Sequence, residues 1–430
     1  MPKEKQNANA NPNPTDKPSV NPSATQGLNP NPTLQPIMPP PINPPVPQDS
    51  KTPGIVESAQ PINSSTWMTI ARSAWTYYQI GVGVDRNTGL PWTGRASQYF
   101  TDWDLGVYIQ AVVDAAKLGL IDNRTFTERT DKVMTWLETR ELNNASYPYW
   151  FYQATDGQVW HQNSDVAGFI VDVADTGRMF VALYNLKTYS QEFAPRVNDL
   201  VYNHNGNRSD YAALVPGLKA ESLSSTSIYS YYVIGGFECF WPSELAGASA
   251  QVLKNMFAPS TGTVTTDEGV TLPKVRITGD PLLCAFFELS NKDANLGKLV
   301  NLTFSAHEAY YNATGNFRAF GEGPTFSTDW QWEWVTLPDG RTWTPLNGKG
   351  ETLGVSPLIY TKIAWSFLAL HNTNYTRSMA IYLEQKMPSP TPNGYNEAVD
   401  ENGAVLNAWG SLTNGLILDA ARYYITNTPY

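Results

Sequence analysis

Cysteine is scarce. The 430-residue chain has two, Cys239 and Cys284, both in apolar surroundings. Two thiols exclude a multi-bridge disulfide scaffold and a cysteine zinc cluster; they make either one bridge or two buried thiols. Histidine is scarcer than the length would suggest, at four, with no HxxxH pair. A histidine metal site is therefore excluded, and no metal or other cofactor is expected. No run of about 18 apolar residues occurs, which excludes a membrane-spanning helix. Positive charge is in deficit: 29 Lys and Arg face 39 Asp and Glu, a net charge of −10. Phosphate binding needs a basic face, so nucleic acid is excluded as a partner.

Nucleotide and hydrolase signatures are missing as well. No GxSxG, P-loop or GxGxxG element precedes a helix, and Gly81-Val82-Gly83 lacks the rest of a dinucleotide fingerprint. Asp122-Asn123 and Asp400-Glu401-Asn402-Gly403 do not fill an EF-hand loop. Met1-Pro2-Lys3-Glu4-Lys5 is not followed by an apolar h-region, so no signal peptide is expected in this numbering.

No aromatic residue precedes Trp67, while 14 of the 32 prolines fall in the first 50 residues. Such a tract cannot bury enough apolar surface to order itself, and its prolines favour extended conformations. Residues 1–62 read as a disordered Pro/Asn-rich tether that can attach the rest to a surface or assembly. Residues 63–430 read as the folded domain.

What is present is aromatic and helical. Aromatics make up 12% of the chain, including 14 Trp and 23 Tyr. Seven N-x-S/T sequons, at Asn63, Asn123, Asn144, Asn207, Asn301, Asn312 and Asn374, point to a glycosylated protein at or outside the cell surface.

From Ser64 onward, apolar and amphipathic helical patterns alternate. Apolar ones start near 104, 172, 227, 280, 357 and 411. A helix buried on all sides is apolar all round; one facing solvent on one side is amphipathic. Six such pairs predict an all-α fold, an (α/α)6 toroid of about twelve helices with inner and outer rings. An open superhelix gives a similar pattern, and the count of six favours closure. Two β-hairpins are expected at one mouth, around Asp156-Gly157 and Asp339-Gly340.

The residues just before the inner helices converge at that mouth and carry acids and aromatics. They are Trp92, Asp102, Trp103 and Asp104; Trp150, Trp160 and His161; Asp172 and Asp175; Glu221; Asp329, Trp330, Trp332, Glu333 and Trp334; and Glu397, Asp400, Glu401 and Trp409. Glu238 sits within an apolar helix, where a carboxyl needs a partner or a raised pKa. Carboxylates beside flat rings suit glycoside hydrolysis: one acid protonates the leaving oxygen, a second activates water or attacks the sugar, and the rings stack on sugars.

The catalytic candidates are Asp175, Glu238, Asp172, Asp104 and Glu333. The substrate-binding candidates are Trp92, Asp102, Trp103, Trp150, Trp160, Asp329, Trp332, Trp334, Glu397 and Trp409. Asp102 and Asp104 also suit helix capping, and Asp175 also suits a cap paired with Arg178.

Several segments carry a resemblance. They are Ala74-Trp75-Thr76-Tyr77-Tyr78 with Thr88-Gly89-Leu90-Pro91; Thr101-Asp102-Trp103-Asp104-Leu105-Gly106; Lys117-Leu118-Gly119-Leu120-Ile121; Asp175-Thr176-Gly177-Arg178; Trp332-Glu333-Trp334; Tyr360-Thr361-Lys362; and Thr413-Asn414-Gly415-Leu416-Ile417-Leu418. In order and spacing they resemble the glycoamylase-like family called domain of unknown function 3131, over about 67–425. The resemblance implies an (α/α)6 toroid and kinship with bacterial enzymes that hydrolyse or transglycosylate β-1,2-glucans. By position it implies roles for Asp172, Asp175 and Glu238. The Pro/Asn-rich arm has no counterpart in the family pattern.

The expected function is an extracellular glycoside hydrolase or transglycosylase acting on a glucan or surface polysaccharide. The alternative is a non-catalytic surface, filament or virion component that binds carbohydrate on the same toroid. A lyase using a tyrosine base would need a basic cluster for uronate carboxylates, and none is evident.

Overall fold

The computed structural model describes residues 62–95, 97–160, 172–290, 293–326, 330–387 and 391–427. The proline-rich tract up to residue 61, His161 and Asp329 lie outside the described residues.

Among the described residues there are thirteen α-helices. Six form an inner ring: α2 (Asp102–Lys117), α4 (Val173–Tyr189), α7 (Ile228–Glu238), α9 (Gly279–Glu288), α11 (Thr361–Leu370) and α13 (Ser411–Thr426). Each packs on the next in that order, and α13 returns to α2, so the ring closes. Six others lie outside it: α1 (Ser64–Trp75), α3 (Asn123–Thr139), α5 (Ala194–Tyr202), α8 (Ala248–Met256), α10 (Ala294–Thr314) and α12 (Asn374–Lys386). The thirteenth, α6 (Val215–Ser222), follows a 3-10 turn at Tyr211–Leu214 and was not expected from periodicity. The fold is the (α/α)6 toroid that the alternating pattern predicts.

The inner–outer division follows the side chains. Helix α7 buries nine of its eleven residues, Ile228 and Ser230 to Phe237, because helices surround it. Helix α3 buries one stripe, Phe126, Arg129, Thr130, Val133, Met134 and Leu137, and leaves charge outside. Two glycines set the spacing of α4 and α7. A Cβ on Gly236 would stand 2.1 Å from the Gly177 carbonyl oxygen, and one on Gly177 would stand 2.9 Å from the Val233 backbone. Helix-weakening residues in a buried helix are explained by this backbone contact.

Short strands decorate one mouth. Strand β6 (Trp330–Thr336) pairs antiparallel with β7 (Thr342–Asn347), with Thr336 opposite Thr342, as the hairpin around Asp339-Gly340 requires. Strand β5 (Glu322–Pro324) adds to the other edge of β6. Around Asp156-Gly157 the expected hairpin is reduced to one bridge, Tyr152 to Val159; strand β2 (Tyr152–Gln153) pairs instead with β1 (Tyr99–Phe100).

The toroid axis is plugged by polar side chains. Arg178 Nη2 donates to Glu288 Oε1 at 2.9 Å, and the Tyr232 hydroxyl bonds the other Glu288 oxygen. Arg422 reaches Asp114 at 3.0 Å and the Phe287 carbonyl at 2.8 Å. Asn185 links Gln110 to the Glu288 carbonyl. Burial, then the charges of Glu288 and Asp114, pushes the Asp419 carboxyl well up. Cys239 and Cys284 are both free thiols.

Candidate active site

All six inner helices begin at the same mouth, and five of them bring an ionisable or phenolic group in their first turn. Asp102 and Asp104 come from α2, Asp175 from α4, Tyr229 from α7, Asp280 from α9 and Lys362 from α11; α13 contributes Thr413. Positive helix ends favour carboxylates there.

The start of α2 is a reciprocal cap. Thr101 Oγ1 accepts the Trp103 N–H at 3.1 Å, and Asp104 Oδ2 accepts the Thr101 N–H at 3.1 Å. The Thr93 hydroxyl donates to Asp104 Oδ1 at 2.9 Å. Burial pushes Asp104 up to about 6 against the pull of these bonds. Asp102 is bound by both Arg140 amino groups, the second at 3.1 Å, with Arg140 over the Trp136 ring.

The start of α4 differs. Asp172 is its N-cap, and Oδ1 accepts the N–H groups of Ala174 at 3.0 Å and Asp175 at 3.1 Å. Those donors pull against burial, which raises Asp172. Asp175 has no such backbone donors. Burial, and then the charge of Asp172, raises it well above the ordinary carboxylate range, and one bond from the Thr101 hydroxyl opposes this. Their unequal surroundings raise Asp175 more strongly than Asp172. The expected Asp175–Arg178 pair does not form; Arg178 turns down to Glu288.

Asp102, Pro148, Tyr149, Trp150, Asp172, Asp175 and Thr176 line a small cleft. Trp150 stands beside Phe151, which meets Tyr99 edge-on; the Tyr99 and Trp160 rings lie 4.1 Å apart. These four rings are half-buried, as is Trp103, which lies 6.3 Å from Tyr229 and 5.9 Å from Tyr232.

Across the mouth sits a group that sequence reasoning missed. Glu322 Oε2 accepts the Tyr229 hydroxyl at 2.7 Å, and the Trp332 side chain also bonds its carboxyl. The Glu322 N–H donates to Asp280 Oδ2 at 2.7 Å. Lys362 Nζ bonds Asp280 Oδ1 and the Glu322 carbonyl, both at 2.6 Å. Burial and the Asp280 charge push Glu322 up to about 7. Asp280 was signalled by its place at a helix start. Glu322, on a short strand between Gly321 and Gly323, carried no such signal.

Other candidates are placed elsewhere. Glu238 ends α7 at the opposite mouth, where it accepts the N–H groups of Gly247 at 2.8 Å and Ser249 at 3.3 Å. It caps outer helix α8, and these donors satisfy its carboxyl. Glu333 is 0% exposed and accepts Leu358 N–H at 2.6 Å and Gln331 Nε2 at 3.0 Å, so it pins strands and cannot reach a ligand. Trp334 packs with Leu337 and Leu346, while Trp332 faces Glu322. Trp92 and Trp409 are half-buried against the core near Thr93. Glu397 lies at the mouth, bound to the Thr413 hydroxyl. Glu221 accepts the Ser230 hydroxyl at 2.6 Å.

Among the described residues no cluster of His, Cys, Asp and Glu could hold a metal ion, and no helix is long and apolar enough to cross a membrane. All seven sequon asparagines are exposed.

The model of the family described as protein of unknown function (DUF3131) matches residues 69–427. No curated protein matches the chain. Among solved structures, a candidate glucoamylase from Bacteroides fragilis superposes with a TM-score of 0.59 at 16% identity, over 86% of this chain and 94% of that one. The endo-β-1,2-glucanase of Chitinophaga pinensis, in complex with sophorotriose and glucose, gives 0.57 at 13% identity, over 85% and 93%. A D-mannose isomerase gives 0.52 at 11% identity, over 86% and 100%. Identities this low establish the shared toroid.

Proposed function

The chain belongs to the DUF3131 family, and we propose that it is a glycoside hydrolase acting on a β-linked glucan at the mouth formed by the inner-helix starts. The observation that carries this is the Asp172–Asp175 pair in a cleft lined by Tyr149 and Trp150, where burial and the Asp172 charge raise Asp175 while backbone N–H groups oppose the rise of Asp172. Asp175 gives its proton to the leaving glycosidic oxygen as the C–O bond breaks. The charge on Asp172 keeps that proton on Asp175 until a substrate arrives. Trp150, Trp160 and Trp103 offer faces on which sugar rings stack.

A β-1,2-linked glucan is the substrate class this reading favours, because toroids of this shape include an endo-β-1,2-glucanase that holds sophorotriose. The seven exposed sequons support action outside the cell, with the arm as attachment.

Incubation of the protein with β-1,2-glucan and a panel of other glucans, followed by chromatography of the products, tests the reading. Released oligosaccharides are expected. Binding without release would instead support the non-catalytic carbohydrate-binding alternative.

A further inference from the structure

The glycosidase reading leaves one role unfilled. Hydrolysis needs carboxyl groups on opposite faces of the sugar ring. Asp172 and Asp175 stand on one wall, three residues apart at the start of α4. They can supply one side of the reaction only. Asp102 is occupied by Arg140, and Asp104 is enclosed by Thr93 and Thr101.

The far side of the mouth holds Glu322. The path runs from Trp103, next to Asp102, to Tyr229 at 6.3 Å between rings, and from the Tyr229 hydroxyl to Glu322 Oε2 at 2.7 Å. Trp103 is half-buried and stands between the two walls, where a sugar can lie on it. Glu322 is also rigidly held. Its N–H is fixed by Asp280, its carbonyl by Lys362 and its carboxyl by Tyr229 and Trp332. Gly321 makes this possible, since a Cβ there would stand 2.6 Å from Asp280 Oδ2. Such fixing from four elements is what a reacting group needs and exceeds what a strand end needs.

We propose that Glu322 is the second carboxylate of this reaction, taking a proton from the attacking water on the sugar face opposite Asp175. The step balances. The water oxygen bonds the anomeric carbon as its proton passes to Glu322. The C–O bond to the leaving sugar breaks, and that oxygen takes the Asp175 proton. Solvent then returns a proton to Asp175 and removes one from Glu322. The ionisable groups facing Glu322 are Tyr229 from α7, Asp280 from α9 and Lys362 from α11, with the Trp332 N–H from β6. Burial and Asp280 lift Glu322 to about 7, a suitable poise for a base near neutrality.

The proposal rests on the glycosidase reading, and the test separates the two. Wild type, Glu322→Gln, Tyr229→Phe and Asp175→Asn are compared for binding of β-1,2-gluco-oligosaccharides by calorimetry and for turnover. Glu322→Gln keeps the shape and the acceptor for Tyr229. It is expected to bind as wild type and to lose about 10²–10⁴-fold in kcat. Added azide or formate should restore turnover in Glu322→Ala, where the removed side chain leaves room for the anion, and in Glu322→Gln the low-pH limb of the wild-type kcat profile should vanish. Tyr229→Phe should shift that limb while keeping measurable activity.

Wild-type-like kcat in Glu322→Gln, with Asp175→Asn dead, would overturn the Glu322 role and leave the glycosidase reading standing. Loss of binding in step with turnover in Glu322→Gln, with no azide rescue of Glu322→Ala, would also overturn it, as a purely structural effect. A wild type that binds or cleaves no glucan would overturn both.

Discussion

Arg178 and Glu288 meet inside the toroid, 110 residues apart in sequence, with Nη2 and Oε1 at 2.9 Å and both side chains at most 1% exposed. The bond commits Arg178, three residues after Asp175, to the axis plug. Burial and the Asp172 charge then raise the Asp175 carboxyl.

Arg178→Met should therefore destabilise the fold by about 3–5 kcal/mol, because Glu288 is left buried and uncompensated. The double variant Arg178→Met/Glu288→Leu should recover most of the loss. Urea unfolding of both measures this. A loss below about 1 kcal/mol in the single variant would mean the pair is dispensable.

Asp175→Asn should lower kcat on a cleaved glucan by about 10²–10⁴-fold. Its thermal midpoint should match or exceed wild type, since the amide stays neutral beside Asp172 without taking up a proton. A fall in midpoint with activity intact would make Asp175 a structural residue.

Glu238→Gln should leave turnover unchanged. Glu238→Ala should cost about 1–2 kcal/mol, the usual loss of a helix cap, because the Gly247 and Ser249 N–H groups lose their acceptor. Side-by-side activity and melting measurements separate this from a catalytic effect.

Asp104 makes stability depend on pH in a defined direction. Its folded value of about 6 lies above the ordinary 3.8, so the folded state holds the proton more tightly. The stabilisation is fully present below pH 3.8 and is lost as pH rises to about 6. Asp104→Asn removes that loss. Its stability relative to wild type should rise by up to about 3 kcal/mol across this window and then level off. Denaturant midpoints measured every half pH unit test this, and a flat difference would sink it.

Gly236→Ala should destabilise by about 1–3 kcal/mol although alanine is the better helix former, because the methyl meets the Gly177 carbonyl. Neutral or raised stability would show that α4 and α7 separate easily.

Much of the architecture was legible in the chain. Burial dictates composition, so helices packed all round read as apolar, and their starts near 104, 172, 227, 280, 357 and 411 lie within about four residues of those observed. Trp332 and Trp334 show the limit: their alternation on β6 leaves open which of them packs, and only tertiary contacts tell which one reaches Glu322. Helix α6 escaped because an eight-residue helix has too few turns to show a stripe.

By itself the sequence determined the helical repeat and the gathering of acids at inner-helix starts. These follow from composition and period, which are local. Tertiary structure decided the partners. It turned Arg178 to Glu288, set Glu238 at the opposite mouth, and brought Glu322 from a strand to Tyr229, Asp280 and Lys362. Helix α7 is about 16 Å long, so an acid at its last residue cannot serve a site at its first. No local pattern records which end of a buried helix faces a ligand, because burial is the same at both.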